Sequence, residues 1–489
     1  MRGGNLNMEE KRNAMWAYLI TGAMILISLL YWATDVYYMY MVIYIWFGFA
    51  YGMMLQYGRF CFASASRDLI AAGVPRMAVG IMVALIFFSF IQATLESVNM
   101  STFHAAPFGI HMLISGAVFG VGMCLAGGCA SGSLYKVGEG NMTSLLAVIF
   151  GLCLGQAIFV DTGGVFNNLM PQAWVDKAMQ TQAGMLQAGI NLPVNSWFDY
   201  YLAGYIWHQP SFTIAKLISG GHPTAIHFFV GNAFINAMLP ALIILTLIYF
   251  FYPRKNFMKK RKKEMKKAGK EPVTGFSDEM AGIWAMITSS KRTSWMGILV
   301  GITAGLHILT MAGIQKKFGV TNFGALLKRM GHFSDVSLKG EVFDPGYWYI
   351  TSQEGQLGAW ILEKFGWNMH DNIFFGFVNG LPEPIRNPAL WMSLGIIFGA
   401  MVMARLSNEF KFKLPSTELI IWGVSGGILM GFGSRPSLGC NIGGFFIRAA
   451  GGDPNGWGYG VGMIGGGFIG GTFLNWFTER RMRQQMADF

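Results

Sequence analysis

The chain has 489 residues, of which 53% are hydrophobic and only 12% charged. Soluble globular chains carry about twice that share of charge, so an ordinary water-soluble fold is excluded; with 40 Phe and no Gly-X-Y period, the 65 glycines mark neither collagen nor disorder. Most of the formal net charge of +11 falls between Arg254 and Lys270, where ten basic residues accompany one acid, Glu264, and a membrane-flanking basic loop accounts for this better than nucleic-acid binding.

A hydrocarbon slab about 30 Å thick takes roughly 20 apolar helical residues to cross. In chain order, uncharged runs that reach or approach this length fall at 14–33, 37–57, 77–95, 143–160, 223–252, 293–314, 387–404 and 456–477. The first is too long for the apolar region of a cleavable signal and reads as a membrane anchor. No ten-residue alternation of a barrel strand is visible. The expected fold class is an all-α polytopic membrane protein with about nine full transmembrane helices, with 320–330 and 419–434 as shorter apolar pieces. Basic residues before the first run, in the central segment and after the last run place both termini and that segment in the cytoplasm. Two long connections, 161–199 and 331–386, read as loop elaborations, and the second carries Tyr347, Trp348, Tyr349, Trp360 and Trp367, which suit the headgroup layer.

Self-similarity carries more information. Gly120–Leu134 runs parallel to Gly431–Phe445, with identities at Gly120/Gly431, Gly122/Gly433, Gly128/Gly439, Cys129/Cys440 and Gly132/Gly443. Upstream, Gly58-Arg59-Phe60-Cys61-Phe62 faces Gly319-Val320-Thr321-Asn322-Phe323. The chain therefore divides into a first transmembrane half, 1–252 (repeat motif 52–161), a basic linker, 253–277, and a second half, 278–489 (repeat motif 387–478). In each half an apolar run of about ten residues, Ser115–Leu125 or Ser425–Gly433, ends at a Gly-Cys pair and is followed by another short segment. Such re-entrant pieces are tolerated where their exposed backbone lines a protected cavity, and the N-terminus of the second piece favours an anion.

Cys129 and Cys440 fall at these breaks, with Gly128, Gly132, Gly439 and Gly443 as supporting backbone. Asn322 stands opposite Cys61 in the place of a fourth cysteine. Arg59, Lys136 and Arg448 are candidates for attracting an anion to the path mouth. The remaining cysteines, Cys124 and Cys153, read as packing residues. With no CxxC and no clustered histidines, a disulfide framework or metal site has little support. His111, His227 and His307 are expected to make helix–helix hydrogen bonds.

The strings Gly58–Phe62, Gly127–Gly132 and Gly439–Gly443 resemble the motifs of the YeeE/YedE family of sulfur-compound transporters, over roughly 52–161 and 295–478. The resemblance implies two inverted repeats, no cofactor, and import of thiosulfate or a related sulfur-containing anion past Cys61, Cys129 and Cys440. It further implies the plasma (inner) membrane of a prokaryote as location, and as partners the anion, the bilayer and a small cytoplasmic sulfur-carrier protein of TusA type. Neutral thiols suit such an ion, because a polarizable sulfur and a weak S–H donor guide it without trapping it. The length marks a longer YedE-like member, for which a selenium compound is an alternative substrate. The competing class, a membrane sulfurtransferase or thiol redox enzyme, requires an activated thiolate, and no histidine accompanies Cys129 or Cys440.

Overall fold

The computed structural model describes residues 8–101, 103–162, 166–269, 271, 273, 275–319, 348 and 350–487. Among them helices make the whole architecture, and pairing between extended segments is limited to two isolated bridges, Pro107 with Ser211 and Asn141 with Lys413. Eight helices among the described residues are long and apolar enough to cross a membrane. Six coincide with expected runs: Met8–Thr34, Arg76–Ser97, Met142–Asp161, Ala225–Phe251, Lys291–Phe318 and Pro388–Leu406. The expected run 37–57 lies within a seventh, Val36–Leu69, which like the eighth, His111–Gly138, joins a longer helix to a short one across a break. The expected run 456–477 lies within Asn455–Ala487, whose 33 residues give it ample length to cross. The protein is thus an all-α polytopic membrane protein.

The helices that precede the Gly-Cys pairs are longer than the ten residues expected. His111–Leu125 has 15 residues and Thr417–Ser434 has 18, about 22 and 27 Å of helix. Ser416 starts the second by accepting a hydrogen bond from the Leu419 amide, with Glu418 in the first turn, a favourable N-terminus that extends it beyond the apolar run.

Glycines set the helix crossings by letting backbones approach. A Cβ on Gly122 would lie 2.6 Å from the Gly426 carbonyl oxygen, and one on Gly433 would lie 2.6 Å from that of Ser115, so helices 111–125 and 417–434 cross antiparallel at the centre. Each then packs in parallel on a further helix. Gly120 and Gly116 face Met463 and Tyr459 of Asn455–Ala487, while Gly427 and Gly431 face Ala147 and Leu152 of Met142–Asp161. The outer pairs alternate likewise: Gly395 closes on Ile45, bringing 388–406 onto 39–58, and Gly301 closes on Ala84, bringing 291–318 onto 76–97.

The two long connections are more than surface elaboration. Phe198, Tyr201 and Leu202 pack with Met369, Ile373, Phe374 and Phe375 in a core of their own. Asp199 ties them together by accepting from the Ile373 amide at 2.8 Å, and Asn195 Nδ2 donates to the Asp371 carbonyl at 2.8 Å. Trp348, expected at the headgroup layer, is instead buried and stacked on Tyr51 with ring centroids 3.9 Å apart; Tyr347 and Tyr349 lie outside the described residues. The basic segment forms helix Arg254–Lys267 and folds onto Phe276–Ile287 through Arg254–Glu279 and Arg261–Asp278 ion pairs at 2.6 and 2.9 Å.

Candidate functional site

The three singled-out cysteines occupy the same kind of position, the residue that opens a short helix. Cys61 precedes Phe62–Ala72, Cys129 precedes Ala130–Gly138 and Cys440 precedes Asn441–Phe446, which runs on into Ile447–Ala450. All three have extended backbones, and their carbonyls accept the first helical hydrogen bonds, from the Ala65, Ser133 and Gly444 amides respectively. The Cys129 thiol sulfur also accepts from the Gly132 amide at 3.3 Å, and that of Cys440 from the Ile442 amide at 3.4 Å. Helix amides and the helix dipole make these positions favourable to negative charge, and at Cys129 and Cys440, though not at Cys61, the sulfur takes the capping role that serine or asparagine usually fills.

Cys61 and Cys129 meet, with sulfurs 3.8 Å apart, in contact but far beyond disulfide bonding distance. All five cysteines are free and buried. Cys61, Cys129 and Cys440 belong to one continuous core, in which the Phe62 ring packs edge-on against Phe445 at 6.0 Å. Tyr459 lies within Coulomb range of both the Cys129 and Cys440 thiols, and its ring packs on Gly444. The paired glycines differ in surroundings. A Cβ at Gly132 would press on both Cys61 and Cys129 sulfurs, whereas one at Gly443 would meet nothing within 4 Å. Gly439 packs against the Gly444 amide, and Gly128 against Ser133. A cavity of about 130 Å³ opens beside Phe62 and Phe445, and its lining is almost wholly apolar side chains.

Asn322 lies outside the described residues. Thr351, the first residue of Thr351–Lys364, is buried near Cys440, and its hydroxyl makes no hydrogen bond. The cations proposed to attract an anion already have partners. Arg59 bridges Glu139 at 2.8 Å and Glu409 at 2.9 Å, Lys136 donates to the Gly127 carbonyl, and Arg448 pairs with Asp453 at 3.1 Å. Cys124 donates to the Gly467 carbonyl at 3.2 Å, and Cys153 is fully buried near Glu354. Of the histidines, His227 closes a helix start with Thr224 instead of bonding to another helix. His307 makes no hydrogen bond and sits among Tyr44, Phe47 and Tyr51, because aromatic faces fill the space a polar partner would need.

Two charged residues near Cys440 escaped the sequence reading. Arg435 and Glu354 are 0% and 1% exposed, and neither side chain makes a hydrogen bond. Arg435 lies over the Phe374 ring at 5.0 Å, so the core built from the long connections reaches this side of the site.

Crossed, glycine-packed helices that bury polar breaks define a polytopic membrane transporter, and its thiols sit at those breaks. A family model described as sulphur transport matches residues 57–469, and the chain belongs to that family. It is 25% identical to the thiosulfate transporter TsuA of Spirochaeta thermophila over 81% of this chain and 88% of that one. It is 24% identical to the thiosulfate transporter TsuA of Escherichia coli over 82% of this chain and 84% of that one. The probable transporter YedE of Escherichia coli is 30% identical over 26% of this chain and 32% of its own.

Proposed function

We propose that this protein imports thiosulfate or a closely related sulfur-containing anion across the inner membrane, between two halves related as inverted repeats, along a path marked by Cys61, Cys129 and Cys440. The observation that carries the reading is the recurrence of a buried thiol at the N-terminus of three short helices that share one core. The antiparallel crossing of 111–125 with 417–434 and the reciprocal packing of their neighbours are what a two-fold axis in the membrane plane produces. The thiols act protonated, since a thiolate would repel the ion and charge is costly in the lipid slab. Each S–H donates weakly to the anion while free helix amides supply positive potential, a combination that binds without trapping. Both termini and the Arg254–Lys267 helix face the cytoplasm, where a TusA-type sulfur carrier collects the imported sulfur.

Uptake of labelled thiosulfate by liposomes holding the purified protein tests this. Saturable uptake that excess unlabelled thiosulfate suppresses more strongly than sulfate is the expected result. Absence of saturable uptake by protein that remains folded and reconstituted contradicts it.

A further inference from the structure

Arg435 ends the helix that precedes Cys440, five residues upstream of the thiol, and is among the largest fully buried side chains in the protein. Its Nε, Nη1 and Nη2 make no hydrogen bond, and no carboxylate among the described residues lies within 4.0 Å of them. Structural arginines inside proteins are held by carboxylates or carbonyls, because a desolvated guanidinium without acceptors is strongly unfavourable. Arg435 has neither, so a packing role alone does not account for it.

Its neighbours are as informative as its burial. The Cys440 thiol, Glu354 and Tyr459 lie within Coulomb range of the guanidinium. The Tyr459 hydroxyl, both carboxylate oxygens of Glu354, and the side-chain oxygen and nitrogen of Asn441, next to Cys440, are also buried and unpaired. One cation, one acid and two neutral polar groups thus collect at one helix break with their hydrogen-bonding capacity unused. The other buried charged side chains among the described residues are all partnered: Glu96 with Gln92 and Asn232, Asp199 with the Ile373 amide, Asp278 with Arg261 and Asp453 with Arg448.

We infer that Arg435 holds the oxyanion end of the transported ion beside Cys440, with the Asn441 amide and the Tyr459 hydroxyl as neutral donors and Glu354 as the counter-charge that lets the ion leave. The inference rests on the transport reading above and adds to it a charged subsite. A guanidinium presents parallel N–H groups that match two oxygens of a tetrahedral oxyanion, while the soft sulfur end of the same ion suits the thiol. An isolated cation in a low-dielectric core would trap an anion, and a nearby acid of opposite sign prevents this. The repeat position that matches Arg435 in the first half is Cys124, so the charged subsite exists once per chain and not twice.

The test compares wild type with Arg435→Gln, Arg435→Lys and Glu354→Gln for thiosulfate binding by calorimetry in detergent and for uptake in liposomes, with thermal stability measured on each. Arg435→Gln should raise the half-saturating concentration at least tenfold, and Arg435→Lys should lose less than the Gln variant. Glu354→Gln should shift it the opposite way, lowering half-saturation while slowing turnover, a split that a merely structural acid would not produce. If Arg435→Gln fails to fold, the Lys and Glu354 variants still decide the matter. Wild-type binding and uptake constants in the Arg435 variants, or weaker binding in Glu354→Gln, overturn the inference. Thiosulfate binding that Arg435→Gln abolishes, without uptake by wild type, upholds the subsite and refutes the transport reading; wild-type uptake that persists unchanged in Arg435→Gln does the reverse.

Discussion

The contact between Cys61 and Cys129 can be broken by a single methyl group. A Cβ on Gly132 would lie 2.6 Å from the Cys61 sulfur and 3.1 Å from that of Cys129, while the next nearest atom, the Cys61 Cβ, is 3.6 Å away. Ordinary contact distances are roughly 3.5–4.0 Å, so in Gly132→Ala the Cys61 sulfur must retreat by about 1 Å. Overpacking of this kind costs about 1–3 kcal/mol, whereas replacing glycine by alanine within a helix contributes about 1 kcal/mol in the favourable direction. The net destabilisation should therefore be modest, about 0–2 kcal/mol, and all of it should come from the sulfur contact. Flux should suffer more than stability, because losing one donor worth about 1.5 kcal/mol corresponds to roughly a tenfold change. Thiosulfate uptake at matched expression, with melting temperatures in detergent, measures both effects. Adding Cys61→Ala to Gly132→Ala frees the space and should restore the melting temperature without restoring flux. Wild-type uptake in the single variant, or no recovery of stability in the double, refutes the reasoning.

The packing of the two long connections gives a pH-dependent test. Burial pushes the Asp199 carboxyl up from 3.8 to about 6. The folded state then binds this proton more tightly than the unfolded chain, so the contribution is complete below about pH 4 and lost as pH rises to about 6, about 3 kcal/mol at most. The wild-type melting temperature should fall relative to that of Asp199→Asn across this window, and a difference that stays constant with pH contradicts the assignment. Deleting 258–270 removes the half-exposed Arg261–Asp278 pair but leaves Arg254 on Glu279. Exposed pairs contribute little, so uptake by the deletion should remain within about twofold of wild type if the segment only sets topology. A tenfold loss would show that the segment takes part in transport.

What could be read in the sequence was whatever depends on local chemistry. Gly128-Cys129 and Gly439-Cys440 announced helix breaks because glycine and small residues there oppose continuous helix, and the structure opens a short helix at each. Membrane helices were legible from run length alone, but Ser416 and Glu418 extended one of them beyond its apolar stretch. Arg435 was hidden because its position in the repeat alignment is held by Cys124, and a single arginine in a Gly-rich run gives no local sign of how deeply it lies. The meeting of Asp199 with Ile373 joins residues 174 apart, and neither connection carries a periodic pattern that would announce a partner. Trp348 was misplaced for a related reason, since an aromatic residue suits the headgroup layer and a stacked core equally well until its neighbour Tyr51 is known.

The central claim is that the anion passes the sulfhydryls at the helix breaks. Initial rates of thiosulfate uptake by liposomes containing Cys129→Ala, Cys440→Ala or Cys153→Ala, each normalised to reconstituted protein, test it most directly. The account predicts at least a tenfold loss for Cys129→Ala and for Cys440→Ala, about what removing one donor of 1.5 kcal/mol implies, and little change for Cys153→Ala. Equal rates in the three variants and in wild type would contradict it.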